Sequence, residues 1–420
     1  MPPKGRPSLF MSKIADPKLK ADGERNFRWA KAHMGALTTL TKGYAKSRAL
    51  DGASLGVCLH VTKETAVLID ALLEAGAKVK LAAANPLSTQ DDIAAYLATR
   101  TEVYAWRGQS AKEYDWCINE VLRSHPSQLI DDGGDLHVAA HKLGASGIAG
   151  GSEETTTGVV RLKAMEAEGV LAYPVIAVNN AMTKFMFDNR YGTGQSTLDG
   201  IMRATALLLA GKRVVVVGYG WVGKGVAMRA RGMGAIVTVV EVDPIRALEA
   251  HLEGFDVTSI DKAASLGDLF ITTTGQKNVI PYGAIEAMND GAILANAGHF
   301  DVEIDVKTLL GKAKSVKEAR PNVDEVVLPE GKKVYLVGKG RIANLVAAEG
   351  HPPEVMQMSF ANQFLAAVRI RKEGGSLRPE VYGVSAEAEE EVARAALKSM
   401  GVRIGESTRE QREYAKSWKL

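Results

Sequence analysis

Apolar residues along this chain fall in two rhythms. Compact apolar runs at 55–61, 79–84, 102–106 and 128–131 predict strands. Stretches with apolar positions three or four apart, at 64–77, 91–99 and 114–125, predict helices between them. That alternation predicts a parallel α/β unit, whose ligands bind beyond the carboxyl ends of its strands. His60 and the cluster Asp131-Asp132-Gly133-Gly134-Asp135 fall at such ends. A helical link at 199–209 leads into a second series, with strands at 214–217, 236–240, 269–272, 293–295 and 333–337. Helical rhythm returns over 355–371 and in an acidic stretch at 386–400. Ser407-Thr408-Arg409-Glu410 then gives a capping-box pattern that opens a last short helix.

Composition excludes several classes of function. A chain of 420 residues with 46% hydrophobic content builds two or three domains with large cores. Lys plus Arg number 52 and Asp plus Glu 49, which leaves +3 with the charges interspersed, so no nucleic-acid partner is expected. No apolar run reaches the roughly 18 residues a membrane span needs. The basic segment Met1-Pro2-Pro3-Lys4-Gly5-Arg6-Pro7 lacks the apolar core of a signal peptide. Cys58 and Cys117 make no disulfide framework, and a reducing, cytoplasmic setting is expected.

The stretch Val214-Val215-Val216-Val217-Gly218-Tyr219-Gly220-Trp221-Val222-Gly223 carries the first chemical signal. Four valines read as a buried parallel strand, and Gly218, Gly220 and Gly223 as a tight turn opening a helix. The first glycine permits the turn, the second lets backbone approach a pyrophosphate, and the third lets helix and strand pack closely. The next apolar run ends in Glu241, near the ~20-residue spacing of a carboxylate that grips an adenosine ribose. NAD is the expected cofactor, and no metal is expected.

Other polar clusters lie outside this fingerprint: His60 through Thr65, Asp131 through Asp135, Glu153-Glu154-Thr155-Thr156-Thr157-Gly158, Thr183-Lys184 through Asp188-Asn189, and Asn344 through His351-Pro352. Each has a plain explanation alone. His60 reads as a satisfied core histidine, Asp131-Asp132 as a turn, the Glu/Thr run as a helix N-terminus, and Lys184 with Asp188 as a surface pair four residues apart. Taken together, and with Gly298-His299-Phe300-Asp301-Val302-Glu303, they resemble the S-adenosyl-L-homocysteine hydrolase family, in the family's order, from about Ser12 to about Met400.

The resemblance implies an α/β fold of two Rossmann-like parallel-sheet domains joined by a hinge, plus a small helical C-terminal segment. The substrate-binding domain spans 1–185 and is completed by about 350–382, the NAD-binding domain spans 190–349, and an oligomerisation segment spans 383–420. It also implies a reaction: reversible hydrolysis of S-adenosyl-L-homocysteine to adenosine and L-homocysteine. NAD oxidises the ribose 3′-hydroxyl, the ketone acidifies the 4′ C–H, homocysteine leaves by β-elimination, water adds, and the hydride returns. Lys184 is the implied base at the 3′-hydroxyl and needs a pKa lowered by burial, unless its proton is shared with Glu154, which holds it and the ribose hydroxyls. Asp188 sits on the 3′ side, and Asn189 organises the network. Asp132 and His60 suit the 4′ proton, the water and the leaving thiol, in an order the sequence leaves open. Thr62 and Glu64 match adenine contacts, His351 a substrate contact at the hinge, and His299 with Phe300 a gate. On the cofactor side Thr155, Thr156, Thr157, Thr274 and Asn344 match contacts to NAD, with Gly218, Gly220, Gly223, Glu241 and Arg246 around its adenosine end.

Several positions depart from the pattern. Trp221 replaces an Asp within the turn, Thr193 a cysteine of many eukaryotic members, and Arg246 an Asn near the adenosine ribose. Arg246 would tolerate NADP, and Glu241 argues against it. The ending Ser417-Trp418-Lys419-Leu420 lacks the tail that reaches a neighbour's cofactor in longer members, and resembles the shorter form of archaea and some thermophiles. A homo-oligomer, usually four copies in this family, is expected. The alternative substrate is S-inosyl-L-homocysteine; a carboxylate at Glu64 faces its carbonyl unfavourably, which favours adenine. A non-catalytic relative is disfavoured because Lys184, Asp188, Asp132, His60, Glu154 and His351 are all present. A conventional dehydrogenase would release NADH steadily.

Overall fold

The structure is a computed structural model that describes residues 12–144 and 146–418. The basic N-terminal segment, and Lys419 and Leu420 of the tail, lie outside the described residues. The chain forms two eight-stranded sheets with helices packed against them.

The first sheet is parallel throughout, in the order Lys13–Ile14, Glu102–Ala105, Lys78–Ala83, Ser54–Leu59, Gln128–Asp131, Gly150–Glu153, Val175–Ala177, Val381–Tyr382. Its central Ser54–Leu59 strand is buried from Leu55 onward, as helices on both faces require. Strand order reverses between Ser54–Leu59 and Gln128–Asp131, and a crevice opens at such a switch point. His60 leaves the first of these strands, and Asp132 leaves the second. The Pro353–Glu373 helix packs on this sheet, and the Ala386–Ser399 helix packs on it and on Gly35–Lys46.

The second sheet runs Asp256–Thr258, Ile236–Val240, Arg213–Val217, Leu269–Thr272, Ala292–Asn296, Lys333–Val337, Val323–Val327, Ser315–Arg320. Its first six strands are parallel and its last two antiparallel. Its switch point lies between Arg213–Val217 and Leu269–Thr272, and the glycine turn follows directly.

The structure departs from the sequence reading at several elements. The antiparallel pair at the edge of the second sheet was not expected. Ser315–Arg320 is exposed along its length and rich in charge, so it carries no apolar signature, and Asn322 makes the turn at φ +65°. Strands Gly150–Glu153 and Val175–Ala177 were also missed, because glycine and polar residues fill the first although all of it is buried. The linking helix is Thr193–Thr205 rather than 199–209, and it stops where Ala206 turns left-handed at φ +56°. Finally, the last capping box is formed one residue later than the pattern indicated. Thr408 caps the helix and Gln411 returns the bond, while Glu410 plays no part in it.

Candidate active site

A cavity of about 810 Å³ lies between the carboxyl ends of the two sheets, and every site residue named above lines it except Gly223 and Phe300. Phe300 packs edge-on against His299, with ring centres 4.6 Å apart. Gly223 sits behind the turn. A side chain there would strike the Gly218 carbonyl oxygen, so it is the close-packing glycine of the three. Gly218 holds φ +103°, and a Cβ would strike Thr273 and Thr274. At Gly220 the nearest obstacle is Arg246 at 3.7 Å, so this glycine faces open space. That open cradle at the start of the Trp221–Gly232 helix fits a pyrophosphate. The Glu241 carboxylate accepts from the backbone of Tyr219 at 2.7 Å, Val242 at 2.7 Å and Asp243 at 3.0 Å, and stands at the rim. Asn344 is fully buried; its amide donates to Ser196 at 3.1 Å and its Oδ1 finds no partner among the described residues. An orphaned buried amide oxygen facing the cavity suits a carboxamide donor. Thr155 caps the Thr156–Ala167 helix, so the helix-terminus reading of the Glu/Thr run is correct alongside its place in the cavity. Thr274 spends its N–H and hydroxyl on Glu303, Thr156 accepts from Asn179, and Arg246 lies half-exposed beside Asp243.

On the other wall Lys184 is 4% exposed, which corrects the surface-pair reading. Its Nζ donates to Asp188 Oδ1 at 2.8 Å and to Asn189 Oδ1 at 2.9 Å, and lies 3.8 Å from Glu154 Oε1. Asp188 Oδ2 accepts from His351 Nδ1 at 3.0 Å and from Ser359 at 3.2 Å. Thr193 Oγ1 meets His351 Nε2 at 3.1 Å, with donor and acceptor set by the protonation of the imidazole. His60 is not a satisfied core histidine. Its Nδ1 meets Ser88 Oγ at 2.7 Å, while Nε2 points to Asp132 Oδ2 at 3.6 Å. His299 Nδ1 approaches the other Asp132 oxygen at 3.5 Å. Thr62 caps the Lys63–Glu74 helix, and Glu64 follows in its first turn, its buried Oε1 3.3 Å from Lys63 Nζ but without a hydrogen bond among the described residues.

Burial shifts these groups in different directions. It pulls Lys184 down, but Asp188 and Glu154 more than offset it, and the lysine ends above its usual value. The expectation of a lysine lowered by burial is therefore overturned, and the shared-proton alternative remains. Burial pushes Asp188 up, yet Lys184 and His351 outweigh it and hold the carboxylate well below the usual range. Glu154, farther from the ammonium, is raised by burial to about 7 despite Lys184. Burial also raises Asp132, against the pull of His299 and Lys184, and lowers His60 to about 3. His299 is lowered by burial, with Asp132 opposing.

Several residues of the site escaped the sequence. Gln363 donates to Glu154 Oε2 at 2.6 Å, and Ser359 reaches Asp188, both from the Pro353–Glu373 helix. Asn179 accepts weakly from Lys184 at 3.5 Å. The available signal was Asn362-Gln363, two amides inside the apolar run from Phe360 to Ala367. Glu153 accepts from the Gly133 and Thr155 backbone at 2.9 and 2.8 Å, and Glu303 from Thr274 and Gly275 at 2.8 Å each.

Comparison with known proteins gives the chain a family. The family model for S-adenosyl-L-homocysteine hydrolase matches residues 11–146, and that for its NAD-binding domain matches residues 189–350. The curated relative from Aeropyrum pernix, named adenosylhomocysteinase, is 55% identical over 97% of this chain and 99% of its own. That from Sulfolobus acidocaldarius, with the same name, is 54% identical over the same shares. A relative from Methanocaldococcus jannaschii, named S-inosyl-L-homocysteine hydrolase, is 52% identical over 97% and 99%. Among solved structures, a dipicolinate synthase chain from Bacillus halodurans is a distant likeness, at 15% identity, 78% and 99% coverage and a TM-score of 0.47. The chain binds NAD, and it belongs to the S-adenosyl-L-homocysteine hydrolase family.

Proposed function

We propose that the cavity hydrolyses S-adenosyl-L-homocysteine to adenosine and L-homocysteine, reversibly, with the ribose on the Lys184 side and NAD on the glycine side. The observation that carries this reading is one buried lysine, held between Asp188 and Asn189, in the same cavity as the dinucleotide turn. When bound, NAD supplies reversible hydride acceptance, so the sugar carries a ketone only within a turnover. Gly218, Gly220 and Glu241 would hold its adenosine end, and Thr155, Thr156, Thr157, Thr274 and Asn344 its nicotinamide end.

Lys184 takes the 3′-hydroxyl proton in this reading. The ion pair with Asp188 keeps the free lysine charged, so it must first give a proton away. Glu154, 3.8 Å distant and raised to about 7, is the better acceptor of the two neighbouring carboxylates, since Asp188 is held well below the usual range. Gln363 and Asn189 hold the two carriers in register. Asp132, His60 and His299 face the departing thiol, and His60, uncharged because it is buried, can accept a hydrogen bond from the attacking water. Thr62 and Glu64 take the purine.

The second reading is the inosyl substrate, favoured by one observation: burial raises Glu64. A protonated carboxyl would donate to a purine carbonyl. Lys63 lies 3.3 Å from Glu64 Oε1 and opposes that protonation, so adenosine is preferred. Thiol release assayed with both nucleosides should show kcat/KM at least about tenfold higher for the adenosyl compound, the worth of one or two hydrogen bonds. Deuterium on the 3′ carbon should return to the same carbon; its loss to solvent would sink the mechanism.

The domain limits given above are part of this proposal, as are a cytoplasmic setting and a homo-oligomer, four copies by analogy. Two buried free thiols support a reducing compartment, and no described helix is long and apolar enough to cross a membrane. Ile245, Leu248 and Leu252 share an exposed face of the Pro244–Leu252 helix, which supports contact between copies.

A further inference from the structure

Glu64 is 1% exposed and lines the cavity, whereas Lys63 points the other way. Lys63 lines a smaller pocket of about 210 Å³ with Arg203, Glu349 and His351. Its Nζ lies 3.3 Å from Glu64 Oε1 and donates to Glu349 Oε2 at 2.9 Å. Glu349 belongs to the segment that returns the chain from the second sheet to the first, and Arg203 approaches it at 3.6 Å. The ammonium thus stands behind the purine-facing carboxyl and bridges it to the crossing between the two sheets.

Adenine and hypoxanthine differ at C6, where one carries an amine donor and the other a carbonyl acceptor. At the 6-position an ionised carboxylate serves only the amine, whereas a protonated carboxyl can also donate to the carbonyl. Selectivity at this wall therefore depends on whether Glu64 holds a proton. Resting on the reading that Glu64 faces the purine 6-position, we propose that Lys63 is a specificity-determining residue that acts from behind Glu64. Its ammonium keeps Glu64 a proton acceptor and so selects 6-amino over 6-oxo purine nucleosides.

The surroundings support this division. Burial pushes the Glu64 carboxyl up, and Lys63 is the main influence pulling it back, helped by its own backbone N–H and Thr62. The other ionisable side chains around it are His60 from the end of the preceding strand, and Glu349 and His351 from the crossing segment. His60 is uncharged through burial, and the Lys63 hydrogen bond occupies Glu349. Lys63 itself is raised, since the two glutamates outweigh the effect of burial, and it stays charged across the working range.

The test compares kcat/KM for S-adenosyl- and S-inosyl-homocysteine by thiol release, from pH 6 to pH 9, on the holoenzyme. The ratio of the two rates does not depend on how much enzyme is folded. In Lys63→Met the adenosyl-to-inosyl ratio should fall about tenfold at pH 6, the worth of a hydrogen bond to the purine 6-position, and recover as pH rises. Lys63→Arg should restore the wild-type ratio, because it keeps the charge. In Glu64→Gln, whose amide both donates and accepts, the ratio should be near one and flat with pH. A wild-type ratio in Lys63→Met at every pH, or a sloping ratio that survives Glu64→Gln, would overturn the role of Lys63. A wild-type preference for the inosyl compound would instead overturn the adenine reading.

Discussion

On the second-sheet side of the cavity, most of what faces a ligand is backbone, or side chains fixed by backbone. Gly218 and Gly220 form the turn, and Glu241 is tied down by three amide N–H groups. On the first-sheet side the wall is made of titratable side chains, Lys184, Asp188, Glu154 and Asp132 buried and His60 nearly so. The difference follows from what each side must do. A cofactor kept through the turnover needs a fixed shape that does not titrate. A sugar that gains and loses protons needs groups poised to exchange them. If that division is real, damage to one wall should leave the other working.

The largest effect should come from Lys184→Ala. Removing a general base costs about 10²–10⁴ in rate. We expect turnover to fall by roughly a thousandfold or more while the purified protein still carries its nicotinamide. Loss of the cofactor along with activity would break the comparison, and near-normal turnover would remove Lys184 from its role. The mirror experiment is Gly220→Ala. The backbone there is ordinary, at φ −71°, and the added methyl meets only Arg246, so the cofactor-free protein should melt as the wild type does. NAD affinity should drop by roughly 10- to 100-fold, the 1–3 kcal/mol of crowding a methyl into a fitted contact. Titration of NAD into stripped protein reads this directly. A lower melting temperature with unchanged affinity would mean the glycine serves packing.

The same division decided what was legible beforehand. The Gly218-to-Glu241 fingerprint is contiguous, so strand, turn, helix and carboxylate could be read from spacing alone. The Lys184 wall draws on 60, 132, 154, 184 and 351, which only the two switch points bring together. No local pattern marks such a set, and it was visible only through the order of motifs in a known family. Gln363 stayed hidden because a polar residue in an apolar helix gives no hint of which way it points. Ser315–Arg320 stayed hidden because an exposed charged edge strand has no apolar rhythm. The pKa of Lys184 could not be settled either, since the answer depends on whether 2.8 Å to Asp188 outweighs full burial.

Glu154 gives a subtler test of the titrating wall. Its carboxyl is raised from 4.5 to about 7, chiefly by burial. Between those values the folded protein holds a proton that the unfolded chain has released. The contribution to stability is complete below pH 4.5 and is lost as pH rises through about 7. Gln in its place never ionises. Glu154→Gln should therefore gain on the wild type as pH rises from 5 to 8, by about 2 kcal/mol in unfolding free energy. Parallel pH curves for the two proteins would show that Glu154 titrates like a surface carboxyl, and would remove it as the partner for the Lys184 proton.

The smallest effect belongs to the junction of the two walls. Thr193 begins the helix that leads to the second sheet, and its hydroxyl shares a hydrogen bond with His351 Nε2 at 3.1 Å. The other ring nitrogen is held by Asp188 at 3.0 Å. In Thr193→Val the imidazole keeps its charged partner and loses a neutral one, about 1 kcal/mol, so kcat/KM should fall only about fivefold. Residue volume is conserved, and NAD binding should not change. Cysteine at this position is a poor substitute for a hydroxyl donor, so Thr193→Cys should lie between the two. A loss from Thr193→Val as large as that from Lys184→Ala would mean that His351 must be held from both sides for chemistry. The catalytic network would then extend across the crossing into the cofactor half, and the two walls would be one machine.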